Sequence, residues 1–407
     1  MVEDAAVPTL VLIAGAAVIA PVLAEWSRRI VPIPEVVILI LLGIVLGPYV
    51  LGLAHSNGIV TALSDFGLTY LMFLAGTELD VATMRKGHLG RSAVAWLCSV
   101  GLALAIGAVL ESTGLVLDTE VVGLCLTTTA LGTLLPVLRD SGLVGTRFGS
   151  IMLSVGAVGE FGPVVAVAIL LTQRDSRITL LLLLVFVAVA VVAALLATQV
   201  HPPRMIALVR RHLHSTSQLP IRISVLLVFV LVYLTLKLSL DVLLGAFAAG
   251  VVVRLFIPAQ DYEPVTSKLE AIGFGFLIPI FFVESGIKFD LHALVHQPKV
   301  LLLVPVFTVL FLVTRGVPTW AFFRSVLSKA ETSALAILAS TGLPLIVVIT
   351  TIGVQEHRMK PQNAAALVAA GILSVLIFPI VGMRRLPPEA TSGTKPSAVE
   401  STHDDDP

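Results

Sequence analysis

The chain has 407 residues, of which 57% are hydrophobic and only 13% charged, and its mean hydropathy is +1.01. A soluble globular domain carries about a quarter charged residues, so lipid must be the solvent for much of this surface. The formal net charge is zero, which argues against nucleic acid as a partner.

A spanning helix needs about 20 mostly apolar residues. Thirteen such runs are legible, at 8–24, 33–51, 62–79, 92–110, 120–138, 148–171, 178–199, 221–237, 240–256, 270–289, 299–323, 331–352 and 363–383. Pro, Gly and charged residues mark the turns, as in "RRIVPIP", "RKGHLGR" and "KPQN". The first run follows the acidic pair Glu3-Asp4 rather than a basic segment, so no cleavable signal peptide is expected. Cys98 and Cys125 fall inside apolar runs and read as small buried side chains, not as a disulfide or a zinc site.

With alternating spans, 18 Lys and Arg residues collect on one side and 7 on the other, Arg315 inside a span completing the 26. The positive-inside rule then sets the N-terminus outside and the C-terminus in the cytoplasm of a cell-membrane protein. Residues 1–385 form the membrane domain, and residues 386–407 read as a disordered, polar tail with no soluble nucleotide-binding domain behind it.

The chain also repeats itself. "FLAGTELD" in the third run and "FFVESGIKFD" in the tenth set Gly76 against Gly286 and Asp80 against Asp290, both at an offset of 210. "LLGIVLG" in the second run resembles "LLGAFAAG" in the ninth. "TTTALG" in the fifth resembles "ASTGLP" in the twelfth, with Thr129 over Thr341 at an offset of 212. Repeat one spans 8–171, repeat two 221–383, and the run at 178–199 links them. An odd linker inverts the second repeat, an arrangement used by secondary transporters.

The fifth and twelfth runs carry helix breakers at matching places. One has Thr127, Thr128 and Thr129 before Gly132 and Pro136; the other has Ser340, Thr341, Gly342 and Pro344. Unwound backbone at membrane depth survives only where it is buried or lines a cavity. Paired interruptions are the best sequence pointer to a transport site.

Three ionisable residues lie well inside runs: Glu160, Glu284 and Arg315. Each costs about 2.5–3.5 kcal/mol at a helix centre on insertion scales, so each should face a cavity or a partner. Glu160 is surrounded by Gly156, Gly159, Gly162 and Pro163, which leave room for water or another backbone. Its carboxylate can hold a proton or a hard monovalent cation, with the hydroxyls of Thr128, Thr129 and Thr341 completing a shell. Arg315 stays charged; it can pair a carboxylate or neutralise the negative C-terminal ends of half-helices. Glu284 has three readings: lining an outer funnel, pairing with Arg315, or pairing with Lys288 at i,i+4. The last is the plainest. His201, His212 and His214 lie in a basic loop, as a pH sensor or simply solvated.

"VPIPEVVILILLGIVLGP", "FLAGTELD", "LLGAFAAG", "IPIFFVESGIKFDL" and "GEFGP" together resemble the monovalent cation:proton antiporter-2 family, over nearly all of residues 8–383. That family contains sodium/proton exchangers and the membrane parts of Kef-type potassium efflux systems. The resemblance implies an all-α fold of thirteen spans with a dimerisation domain and a core, two discontinuous helices crossing beside the transport carboxylate. Glu160 falls where the family has its ion-binding acid, and Arg315 where it has a basic residue, often lysine. This chain departs from the pattern: relatives commonly have Asp preceded by Asn, Asp or Gln, where Gly159-Glu160 stands here. One carboxylate and no titratable amine imply electroneutral exchange of one cation (Na+ or K+) for one proton by a homodimer without cofactors. The rival is a sodium-coupled symporter of an organic anion. No H-E-x-x-H, G-x-S-x-G or P-loop pattern suggests an enzyme.

Overall fold

A computed structural model of the chain describes residues 2–27, 33–78, 88–170, 218–238, 242–257 and 259–386. The expected linker span at 178–199, Asp80, Asp241, the three loop histidines and the tail from 387 onward lie outside them. Nine helical segments among the described residues are long and apolar enough to cross a membrane, and three apolar helices, Glu35–Leu46, Thr119–Leu135 and Val242–Phe256, are shorter. Together they match twelve of the thirteen runs read from the sequence.

The first half runs through α1 (Val2–Ser27), α2 (Glu35–Leu46), α3 (Gly58–Thr77) and α4 (Leu89–Ser112). It continues with half-helices α5 (Thr119–Leu126) and α6 (Leu131–Asp140), then α7 (Arg147–Leu170). The second half begins with α8 (Leu219–Lys237) and α9 (Val242–Phe256). Next, α10 (Ala259–Ile272) passes through a π-helical turn, Gly273–Leu277, into α11 (Ile278–Ile287). After the short α12 (Leu291–His296), α13 (Pro298–Phe311) passes through a second π-helical turn, Leu312–Gly316, into α14 (Val317–Phe323). The chain closes with half-helices α15 (Lys329–Ala339) and α16 (Pro344–Gln355) and with α17 (Pro361–Arg385).

The half-helices that lead into the breaks are started by their own side chains. Asp118 accepts from the backbone N–H groups of Glu120 and Val121 at the start of α5. Ser328 and Glu331 form a capping box at the start of α15. Such caps satisfy donors that no earlier turn can reach. Arg358, in the turn after α16, bonds Asp118 at 2.7 Å and Glu120 at 2.6 Å and so ties the end of one broken helix to the start of the other.

Two close helix crossings are built on glycine. A Cβ on Gly43 would strike the Val283 carbonyl and come within 2.9 Å of Gly286 Cα; one on Gly286 would strike the Ile40 carbonyl and Gly43 Cα. The same reciprocity joins Gly76 to Gly250, across α3 and α9. The first crossing joins α2 to α11, and the second joins α3 to α9. Small residues of this kind let helix backbones meet in a membrane. Cys125 is buried as expected, but Cys98 is exposed on the outward face of α4. Its run is apolar because lipid, not protein, covers that face.

Candidate functional site

The two interruptions occupy Thr127–Ala130 and Ser340–Leu343, a sequence offset of 213, one residue from the motif spacing. Proline does not make the first break: Pro136 lies inside α6, downstream of it, while Pro344 opens α16 at a position where proline is pre-organised for a helix. What holds the breaks open is a set of partners for the freed backbone groups. Thr314 Oγ1 donates to the Leu126 carbonyl at 2.7 Å, and Trp96 Nε1 donates to the Thr127 carbonyl at 3.2 Å. Thr129 N–H donates to the Gly159 carbonyl of α7 at 2.9 Å, and across the crossing Ala130 N–H donates to the Thr341 carbonyl at 2.7 Å. In the second break, Gly342 N–H donates to Ser374 Oγ at 3.1 Å, and the Ser374 hydroxyl faces the Gly371 and Gly342 carbonyls. Trp96, Thr314 and Ser374 were not singled out from sequence, because nothing local marks them.

Glu160, near the middle of α7, reaches the first break. Its Oε2 accepts from Leu131 N–H at 3.1 Å, and the Gly132 N–H also points at the carboxylate. These are the first donors of α6, so the carboxylate sits at the positive end of a half-helix. The side chain is partly exposed. Its acidic neighbour is Glu78, the C-cap residue of α3.

Arg315 is only 1% exposed. It lies on the second π-helical turn, an irregularity often found at functional sites. It does not bond Glu160. Its Nε and Nη2 donate to Thr129 Oγ1 at 3.0 and 2.8 Å, and Nη2 to the Val155 carbonyl at 3.3 Å. Thr129 Oγ1 in turn donates to the Ala339 carbonyl at 2.6 Å. The cation thus reaches the negative end of α15 through one hydroxyl, and that hydroxyl is fully engaged. Thr128 Oγ1 donates to the Cys125 carbonyl at 3.0 Å and keeps its lone pairs. Thr341 Oγ1 is buried with no hydrogen-bond partner. The glycines beside Glu160 are filled by protein rather than left open: a Cβ on Gly159 would strike Arg315 and Thr129, and one on Gly162 would meet the Trp96 indole at 2.6 Å.

Glu284 belongs to a different place. It is 3% exposed, and its Oε1 accepts from Ser56 at 2.6 Å, Thr61 at 2.9 Å and Lys288 at 2.8 Å. It shares a cavity of about 230 Å3 with Ser64, Asp65, Asp290, Thr350 and Thr351. Ser56 and Thr61 flank the start of α3 and Glu78 caps its end, so the two acids mark opposite ends of that helix.

Residues 14–383 match the family described as sodium/hydrogen exchanger, transmembrane. The chain belongs to the sodium/hydrogen exchanger family. Among its relatives, the Na(+)/H(+) antiporter of Enterococcus hirae is 27% identical over 363 residues, covering 87% of this chain and 92% of that protein. The Na(+)/H(+)-K(+) antiporter GerN of Bacillus cereus is 27% identical, covering 85% of this chain and 88% of that one. YjbQ of Bacillus subtilis is 28% identical over 92% of this chain, which spans only 62% of YjbQ's length. Among solved structures, the sodium proton antiporter MjNhaP1 of Methanocaldococcus jannaschii superposes with a TM-score of 0.67 at 16% identity, covering 95% of this chain and 99% of that one. The chain therefore has the sodium/proton antiporter fold.

Proposed function

We propose that this exchanger swaps a monovalent cation, Na+ or K+, for protons across the cell membrane by alternating access, with Glu160 as the shared ligand. The observation that carries the reading is the partly exposed Glu160 carboxylate, which meets the first N–H groups of α6 at the crossing of two broken helices. Proton and cation compete for that carboxylate. Thr128 and Thr341 hydroxyls are the side-chain oxygens left to complete a shell, since Thr129 is committed to Arg315 and Ala339. Arg315 supports the crossing electrostatically, and Glu284 conditions the opposite vestibule. The relatives named above support antiport over symport with an organic anion, since they are antiporters by name.

Exchange on this reading is electroneutral, one cation per proton: Glu160 supplies one titrating group, and Arg315 does not release its proton in the working range. The N-terminus faces outside and the C-terminus the cytoplasm, following the Lys and Arg asymmetry, and the unit is a homodimer. The test is acridine-dye dequenching in inverted vesicles with Na+, K+ and Li+ in turn. Wild type should dequench with at least one cation, and a well-inserted Glu160→Gln variant should not. Normal exchange by that variant overturns the assignment. A transmembrane current during turnover overturns electroneutrality alone.

A further inference from the structure

An apolar groove of about 260 Å3 opens on the outer surface of the helix bundle. Leu312, Gly316, Val317 and Trp320 form one wall, Ala336 and Ile337 the other, and Ser333 and Arg385 close its end. Val317 is 54% and Trp320 43% exposed, so in a membrane this wall meets lipid. From Leu312 to Trp320 the wall rises about 12 Å at 1.5 Å per residue, deep enough for an acyl chain to lie along it. Charge gathers only at its mouth. Arg385 lines it, and Arg324 stands over the Trp320 ring, 5.5 Å from the centroid. Arg384 and Lys329 are exposed at the same end. The nearby acid, Glu331, is occupied by its cap bond to Ser328 N–H at 2.9 Å.

We infer that this groove is a binding site for one anionic phospholipid, its headgroup phosphate between Arg324 and Arg385 and one acyl chain against Gly316, Trp320 and Ile337. Among the described residues the mouth gathers Arg324, Lys329, Arg384 and Arg385 against the single acid Glu331, so its charge favours an anionic over a zwitterionic headgroup. Basic pockets between helices at the cytoplasmic face are where such headgroups bind, and Trp at the interface fixes the depth. The site also bears on Arg315. Leu312 and Gly316 are the first and last residues of the π-helical turn that carries it. A Cβ on Gly316 would lie 3.2 Å from Ser340 Oγ, at the edge of the second break. A chain seated there braces the turn from the lipid side. Only the choice of leaflet depends on the orientation proposed above; binding in detergent does not.

The test is the thermal unfolding midpoint of the purified full chain in detergent, with added phosphatidylglycerol, phosphatidylcholine or inorganic phosphate. Phosphatidylglycerol should raise the midpoint by several degrees, and the other two should not. The rise should vanish in Arg324→Gln/Arg385→Gln, persist in Arg324→Lys/Arg385→Lys, and vanish in Ile337→Trp, which fills the groove and leaves both charges. Equal stabilisation by phosphatidylcholine, an equal rise with inorganic phosphate, or a full rise in the glutamine double variant would each overturn the proposal. If the double variant does not fold, the Ile337→Trp result decides.

Discussion

A methyl group at position 159 would strike both the Arg315 guanidinium and the Thr129 hydroxyl. The absence of a side chain there and the presence of a large cation opposite are thus one adaptation. Gly159→Ala should therefore destabilise the protein by about 1–3 kcal/mol, the usual range for overpacking, read as a drop in unfolding midpoint with loss of exchange. Gly159→Asn combined with Arg315→Lys should recover more of both than Gly159→Asn alone. Glu160 and Arg315 were legible in the sequence because charge inside an apolar run is costly and therefore conspicuous. The engagement of Thr129 was not. Its partner Arg315 lies 186 residues away, and a hydroxyl that holds a guanidinium looks in sequence like one that is free.

At the scale of the elements, the breaks could be read from runs of Thr, Ser, Gly and Pro, but not the means by which they are held. Several freed carbonyl and N–H groups find partners on neighbouring helices: Trp96 from α4, Thr314 from the second π-helical turn, Ser374 from α17. Ser374→Ala should leave Gly342 N–H without its partner and cost about 1–3 kcal/mol, the penalty for an unsatisfied buried donor. Slowed exchange with faster amide hydrogen exchange at the second break would check this, and unchanged protection at Gly342 would refute it. The π-helical turns were likewise hidden, since an extra residue in a turn leaves an apolar run apolar. The capped starts of α5 and α15 show the reverse case: Asp118 and the Ser328–Glu331 pair follow local rules and are visible in sequence.

Across the whole molecule, Glu284 and Glu78 stand at the two ends of α3, with Glu160 as the acid between the broken helices. Lys288 is 39% exposed and can turn to water if its partner is removed. Glu284 itself is buried with three donors on Oε1, so Glu284→Gln should cost about 1–3 kcal/mol, while raising the apparent KM for the cation severalfold when it is supplied from that face. Vesicles of both orientations would separate the two faces. An equal effect from both would argue against a one-sided vestibule.

The glycine crossings carry a consequence for motion. At Gly43–Gly286 and Gly76–Gly250 the main chains themselves abut, so no rotamer can flip to let one helix slide past its neighbour. α2, α3, α9 and α11 are welded into a single plate. Slippage must follow seams filled by side chains, such as the tilted ring pair of Phe161 on α7 and Phe247 on α9, 4.8 Å between centroids. A cysteine bridge stapling positions 161 and 247 should halt turnover, while one stapling positions 40 and 283, inside the plate, should leave the machine running.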